Sequence, residues 1–121
     1  MVIDTNIIIA YLNAEPRAVV ALSDWKQEGR GLFVSSISIA ETLAISSLTE
    51  IETSQVKEFL KNFISVPLDN TVAEVAGYLR RKYKLEIPDA AIAATALTKQ
   101  VPLVTRDRQF RKVREIILLE I

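Results

Sequence analysis

The chain contains no cysteine and no histidine, and these two absences remove much of the usual catalytic repertoire. Without cysteine there are no disulfides and no thiolate metal sites. Without histidine there is no serine–histidine or cysteine–histidine nucleophile, no histidine pair to cleave RNA through its 2′-hydroxyl, and no ordinary zinc site. If the chain hydrolyses anything, metal-activated water held by oxygen ligands is the main route left. Long apolar runs are missing too, with nothing approaching the roughly 20 residues of a membrane span. The N-terminus meets an acid at Asp4, which does not fit a signal peptide. A cytoplasmic home is consistent with all of this. Net charge is formally zero, which taken alone argues against a nucleic-acid partner.

What is present is ordinary globular composition. The 121 residues are half hydrophobic and a quarter charged, enough for one domain, 1–121, with a single real core. No repeat, low-complexity stretch or linker divides it. Short apolar runs at Val2–Ile3, Leu32–Val34, Val66–Leu68, Leu103–Val104 and Ile116–Leu119 read as strands. The third is weak because Pro67 lacks a ladder donor. Between them lie helices over Ile7–Leu12, from Pro16 to before Gly29, Ser38–Leu48, Glu52–Ile64, Asn70–Lys84 with Asn70 as cap, and Pro88–Gln100, then a helical turn at Phe110. Strands alternating with helices predict an α/β fold, a small parallel sheet covered by helices on both faces.

Four acids stand out against this frame. Asp4 and Asp107 each follow an apolar strand, Asp89 lies in the first turn of a helix, and Glu41 falls within the apolar set Ile37, Ala40, Ala44, Ile45 and Leu48. Taken singly, Asp4 and Asp107 also read as caps, and Asp89 as an acid favoured by the helix dipole. Glu41 also reads as a helix-edge residue that snorkels to solvent. Capping does not explain it. Ionised carboxylates against a core are costly unless paired or metal-bound. Acids beyond strand ends and at a helix start can meet at one edge of a parallel sheet, so the set suggests one shared cation.

Charge is also unevenly distributed. From Tyr78 to Arg114 there are ten basic residues against three acids. A basic region beside a carboxylate cluster fits a polyanion steered toward a metal site, although solvated helix faces explain single residues equally well. Arg80, Arg81, Arg106 and Arg108 are the candidate phosphate contacts.

Four segments together carry a family resemblance. Residues 2–12, 35–41, 87–96 and 103–110 resemble, in order and spacing, the acidic segments of PIN domains, in particular the VapC toxins of bacterial and archaeal toxin–antitoxin pairs. The resemblance spans essentially the whole chain. It implies a metal-dependent endoribonuclease using Mg²⁺ or Mn²⁺, in which Asp4, Glu41, Asp89 and Asp107 match the acidic quartet. Asn6 and Thr105 match polar positions that orient those acids or the attacking water. It also implies a homodimer, silenced by a small antitoxin whose C-terminal segment covers the active site. Two features depart from the pattern: the first strand is short, with three residues before Asp4, and position 109 is Gln where some relatives carry another acid. The competing expectation is a non-catalytic module of the same fold that only binds RNA or an antitoxin. A phosphoacceptor receiver domain fits less well, because Arg106 rather than lysine follows Thr105.

Overall fold

Five short strands, β1 (Val2–Ile3), β2 (Phe33–Ser35), β3 (Ile64–Val66), β4 (Leu103–Thr105) and β5 (Leu118–Glu120), form one sheet in the computed structural model, which describes residues 1–121. The order is β3-β2-β1-β4-β5 and every pairing is parallel. Six helices join them: α1 (Thr5–Leu12), α2 (Pro16–Gln27), α3 (Ser36–Leu43), α4 (Glu50–Leu60), α5 (Asn70–Tyr83) and α6 (Ile87–Lys99). The predicted α/β class holds. No helix is long and apolar enough to cross a membrane.

Successive strand residues face opposite sides of a sheet, and this divides the core in two. Val2 and Leu103 join α5, α6, Phe110 and Val113 on one side. Ile3, Val34 and Val104 join Ile7, Ile8, Leu22, Val56 and Leu60 on the other. The central strands are therefore buried on both faces, which is why they are apolar without alternation. Helix α6 goes further and buries every residue from Ala90 to Ala96. Its alanines permit close approach both to α5 and to the sheet, and its hydroxyl Thr95 is satisfied by the Ala91 carbonyl.

Several boundaries differ from expectation, each for a local reason. Helix α3 stops at Leu43 rather than Leu48, because Thr49 starts α4 with a reciprocal capping box to Glu52. Helix α4 ends at Leu60 rather than Ile64, and Ile64 opens β3 instead. The strand predicted over Val66–Leu68 thus shifts back to Ile64–Val66, ending before the proline that cannot donate to a ladder. Asp69, not Asn70, caps α5, its carboxylate accepting from the Val72 N–H at 2.9 Å. The last strand begins at Leu118 rather than Ile116.

Phe110 shows no exposed surface and sits in the 3₁₀ turn Arg108–Lys112 directly after Asp107. Phe110→Ala should cost about 3–5 kcal/mol in urea unfolding. Ile64→Thr, at a sheet-edge position 54% exposed, should change stability by less than about 1 kcal/mol.

Candidate functional site

Parallel pairing sets the site's geometry. Val2 lies opposite Leu103 and Ile3 opposite Val104, and the Asp4 N–H continues the ladder to the Val104 carbonyl at 3.0 Å. Asp4 therefore leaves the sheet beside Thr105. The Thr105 hydroxyl donates to Asp4 Oδ2 at 2.6 Å, and the Thr5 N–H donates to Oδ1 at 2.7 Å. Asp4 thus caps α1 while buried, with 5% exposure. Its capping role and its place in the cluster coexist.

From Thr105 the network runs in both directions. Its hydroxyl accepts from Asn6 Nδ2 at 3.3 Å and from the Asp107 N–H at 3.0 Å. Asn6 Oδ1 accepts from the Arg106 N–H at 3.4 Å, so Asn6 clamps the loop after β4. The Gln109 amide Nε2 then donates to Asp107 Oδ2 at 2.6 Å and to Asp89 Oδ2 at 3.0 Å. Pro88 in the first turn of α6 brings Asp89 to this edge.

Glu41 joins through α1. Thr5 Oγ1 donates to Glu41 Oε1 at 2.6 Å and lies 2.9 Å from Ser38 Oγ. The expectation that Glu41 sits on a buried apolar stripe is corrected here. Glu41 and Ala40 are exposed, and the buried residues of α3 are Ser38 and Thr42. Ser38, Glu41 and Thr42 stand at i, i+3 and i+4 and share a face. That polar face, not the apolar set, carries Glu41 to the site. Thr5, Ser38 and Gln109 join the site without having been expected there, Gln109 standing in the sequence only as a departure from the family pattern; the Ser38–Glu41–Thr42 spacing was a signal for Ser38 alone.

The arginines divide differently. Arg106 Nη1 pairs with Glu15 Oε2 at 2.6 Å, and Arg80 Nη1 donates to the Leu85 carbonyl at 2.6 Å. Arg81 and Arg108 are exposed and form no ion pair. Arg80 and Arg81 belong to the last turn of α5, outside the hydrogen-bond network around Asp4.

The family model for the PIN domain matches residues 1–116. The chain belongs to the PIN domain family. It is 29% identical over 108 residues to a protein named ribonuclease VapC19 from Mycobacterium tuberculosis strain H37Rv, covering 85% of each chain. Among solved structures it resembles a toxin–antitoxin complex from Klebsiella pneumoniae at 28% identity and TM-score 0.84, covering 99% of this chain and 98% of that one. It also resembles FitAcB from Neisseria gonorrhoeae at 25% identity and TM-score 0.77, covering 98% and 95%.

The acids of this PIN domain are electrostatically exposed to one another. No lysine or arginine forms an ion pair with Asp4, Glu41, Asp89 or Asp107. Burial pushes the Asp4 carboxyl up to about 6; the bonds from Thr105 and Thr5 oppose the rise, and the charges of Asp89 and Glu41 add to it. Asp89 is also raised, first by burial, against the Gln109 hydrogen bond and with help from Asp107, Glu41 and Glu86. The available donors are carboxylate, hydroxyl and amide oxygens, a set suited to a hard divalent ion. No three carboxylates close around one point; the Gln109 NH₂ lies between Asp89 and Asp107 instead.

Between its ordinary value of 3.8 and about 6, folded Asp4 keeps a proton that the unfolded chain has lost. Stability therefore falls as pH rises through that window, and the loss is complete above it. For Asp4 alone it amounts to about 3 kcal/mol, and Asp89 acts in the same direction. Urea unfolding of metal-free protein should show higher stability at pH 4.5 than at pH 7, with Asp4 contributing about 2 kcal/mol of the difference because part of the window lies below pH 4.5. Asp4→Asn should flatten the slope.

Proposed function

We propose that this PIN domain is a divalent-metal-dependent endoribonuclease, the toxin of a toxin–antitoxin pair. One observation carries the reading: a hydrogen-bonded chain from Asp4 through Thr105, Asp107 and Gln109 to Asp89, with Glu41 tied in by Thr5, at the carboxyl edge of β1 and β4. Uncompensated carboxylates destabilise a fold, so their convergence makes physical sense where a cation supplies the missing charge. The relative named as a ribonuclease and the toxin–antitoxin complex of similar structure support the activity and the partner.

In this reading Asp4, Glu41, Asp89 and Asp107 would hold Mg²⁺ or Mn²⁺ on drawing together around it. The bound ion would supply Lewis acidity toward water and phosphate oxygens. The chain's own part is positioning. Thr105, held by Asn6 and the Asp107 N–H, spends its proton on Asp4 and so fixes that carboxylate's rotamer. Thr5 does the same for Glu41. In this reading water is the nucleophile, oriented at the carboxylate cluster, and the histidine pair that commonly drives 2′-hydroxyl attack is absent. The products are a 5′-phosphate and a 3′-hydroxyl. Arg81 and Arg108 are the phosphate contacts most free to act, being exposed and without an ion pair. Arg106 must first leave Glu15, and Arg80 has only the donors not spent on Leu85. The protein acts as a homodimer and is silenced by a small antitoxin.

A mixed RNA pool should be cut in Mn²⁺ and spared in EDTA. Asp4→Asn and Asp89→Asn should each lower cleavage by more than about 100-fold. RNA binding that survives EDTA, with no cleavage in Mn²⁺, would instead mark a non-catalytic binding module. Arg81→Ala and Arg108→Ala, measured on cleavage-deficient protein, should each reduce the slope of log affinity against log salt by about 1.

A further inference from the structure

Gln109 is the nearest thing to a counter-ion that two of the four acids possess. Both oxygens of Asp107 are committed to it, Oδ1 to its backbone N–H at 3.0 Å and Oδ2 to its side-chain amide at 2.6 Å. The same NH₂ reaches Asp89 at 3.0 Å. The neighbours dictate the orientation of this carboxamide: with carboxylates on two sides, the NH₂ end faces them and the oxygen end is repelled. The backbone here is anchored, since the next residue, Phe110, is wholly buried. Rotation of the Gln109 side chain would release both acids together without moving the backbone.

We propose that Gln109 is a positioning residue whose amide NH₂ stands in for the cation in the metal-free protein. It holds Asp89 and Asp107 together, and divalent binding has to displace it. The inference rests on the reading of this cluster as a divalent-ion site. A neutral donor shared by two carboxylates relieves part of their repulsion through charge-assisted hydrogen bonds. A divalent ion bound by the same oxygens relieves more, but it competes for their lone pairs. Gln109 thereby stabilises the metal-free fold and weakens metal affinity at the same time. A glutamate at this position would do the reverse on both counts.

The opposed effects make the proposal testable without measuring cleavage. Wild type, Gln109→Ala, Gln109→Glu and Asp89→Asn are stripped with EDTA and exchanged into chelator-free buffer. Mg²⁺ affinity is then read by calorimetry and metal-free Tm by thermal unfolding. Gln109→Ala should lower the metal-free Tm yet bind Mg²⁺ roughly tenfold tighter, with Gln109→Glu moving further in both directions. A purely structural Gln109 would lower Tm and leave affinity unchanged or weakened. Wild-type binding that Asp89→Asn abolishes, with no tightening in Gln109→Ala, overturns the proposal and leaves the metal site standing. Absence of Mg²⁺ binding in all four proteins overturns both. If the Gln109 variants fail to fold, the wild-type side-chain NH₂ resonances of Gln109 decide: they should shift as Mg²⁺ is added, and resonances that stay put while the protein binds Mg²⁺ overturn the proposal.

Discussion

The parallel pairing of β1 with β4 is the constraint on which the rest of this molecule depends. It is a ladder of only two residues on one side, Val2 and Ile3 against Leu103 and Val104. Both strands are buried on both faces, so a slip of register by one residue would exchange the two cores. Because the register is held, Asp4 leaves the sheet beside Thr105. A buried carboxylate and a buried hydroxyl then satisfy each other at 2.6 Å. Everything else in the acidic cluster is reached from that bond, by Asp107 and Gln109 in one direction and by Thr5 and Glu41 in the other.

The cluster is held together almost without cations. Five ion pairs exist in the protein, and none involves Asp4, Glu41, Asp89 or Asp107. Hydroxyls, backbone N–H groups and the carboxamides of Asn6 and Gln109 do the holding, which fixes rotamers without neutralising charge. The raised Asp4 and Asp89 carboxyls are the thermodynamic trace of that choice. A fold that concentrates unneutralised charge at one edge needs strength elsewhere. The wholly buried run of α6, packed against α5 and the sheet, provides it. Local sacrifice of stability at a site, offset by a consistent core, is common where a constellation is kept for its chemistry.

The basic third of the chain is less available than its composition suggests. Arg111 grips Glu120 through two nitrogens, at 2.6 and 2.7 Å, and Lys82 meets Glu115, which also accepts from the Tyr83 hydroxyl. With Arg106 on Glu15 and Arg80 on the Leu85 carbonyl, much of this charge ties the segments after β4 to α5, α2 and β5. A surplus read from sequence counts charges; it cannot say which of them are already spent on structure.

Much of the fold was legible because its signals are local. Two-sided burial makes central strands continuously apolar, and the alternation of Val2, Val34 and Leu103 segments with amphipathic helices led directly to a parallel α/β sheet. Caps were legible in kind but not in position, as Asp69 displacing Asn70 shows. Asp4, Asp89 and Asp107 could be picked out by their places at strand and helix ends, which sequence order alone supplies. Glu41 was picked out for the wrong reason. Its apolar neighbours Ala40 and Ala44 are exposed, and the polar pair Ser38 and Thr42 points inward, because a helix face is chosen by what it meets across space. The double hold of Gln109 on Asp89 and Asp107 was out of reach for the same reason. The sequence by itself determined the type and order of the elements, and that Asp4, Asp89 and Asp107 lie at or beside their ends, since these follow from periodicity and backbone chemistry. Tertiary structure decided which acids meet, which arginines stay free and what fills the gap between Asp89 and Asp107, since hydrogen bonds across 20 or 100 residues depend on register and packing that no local pattern encodes.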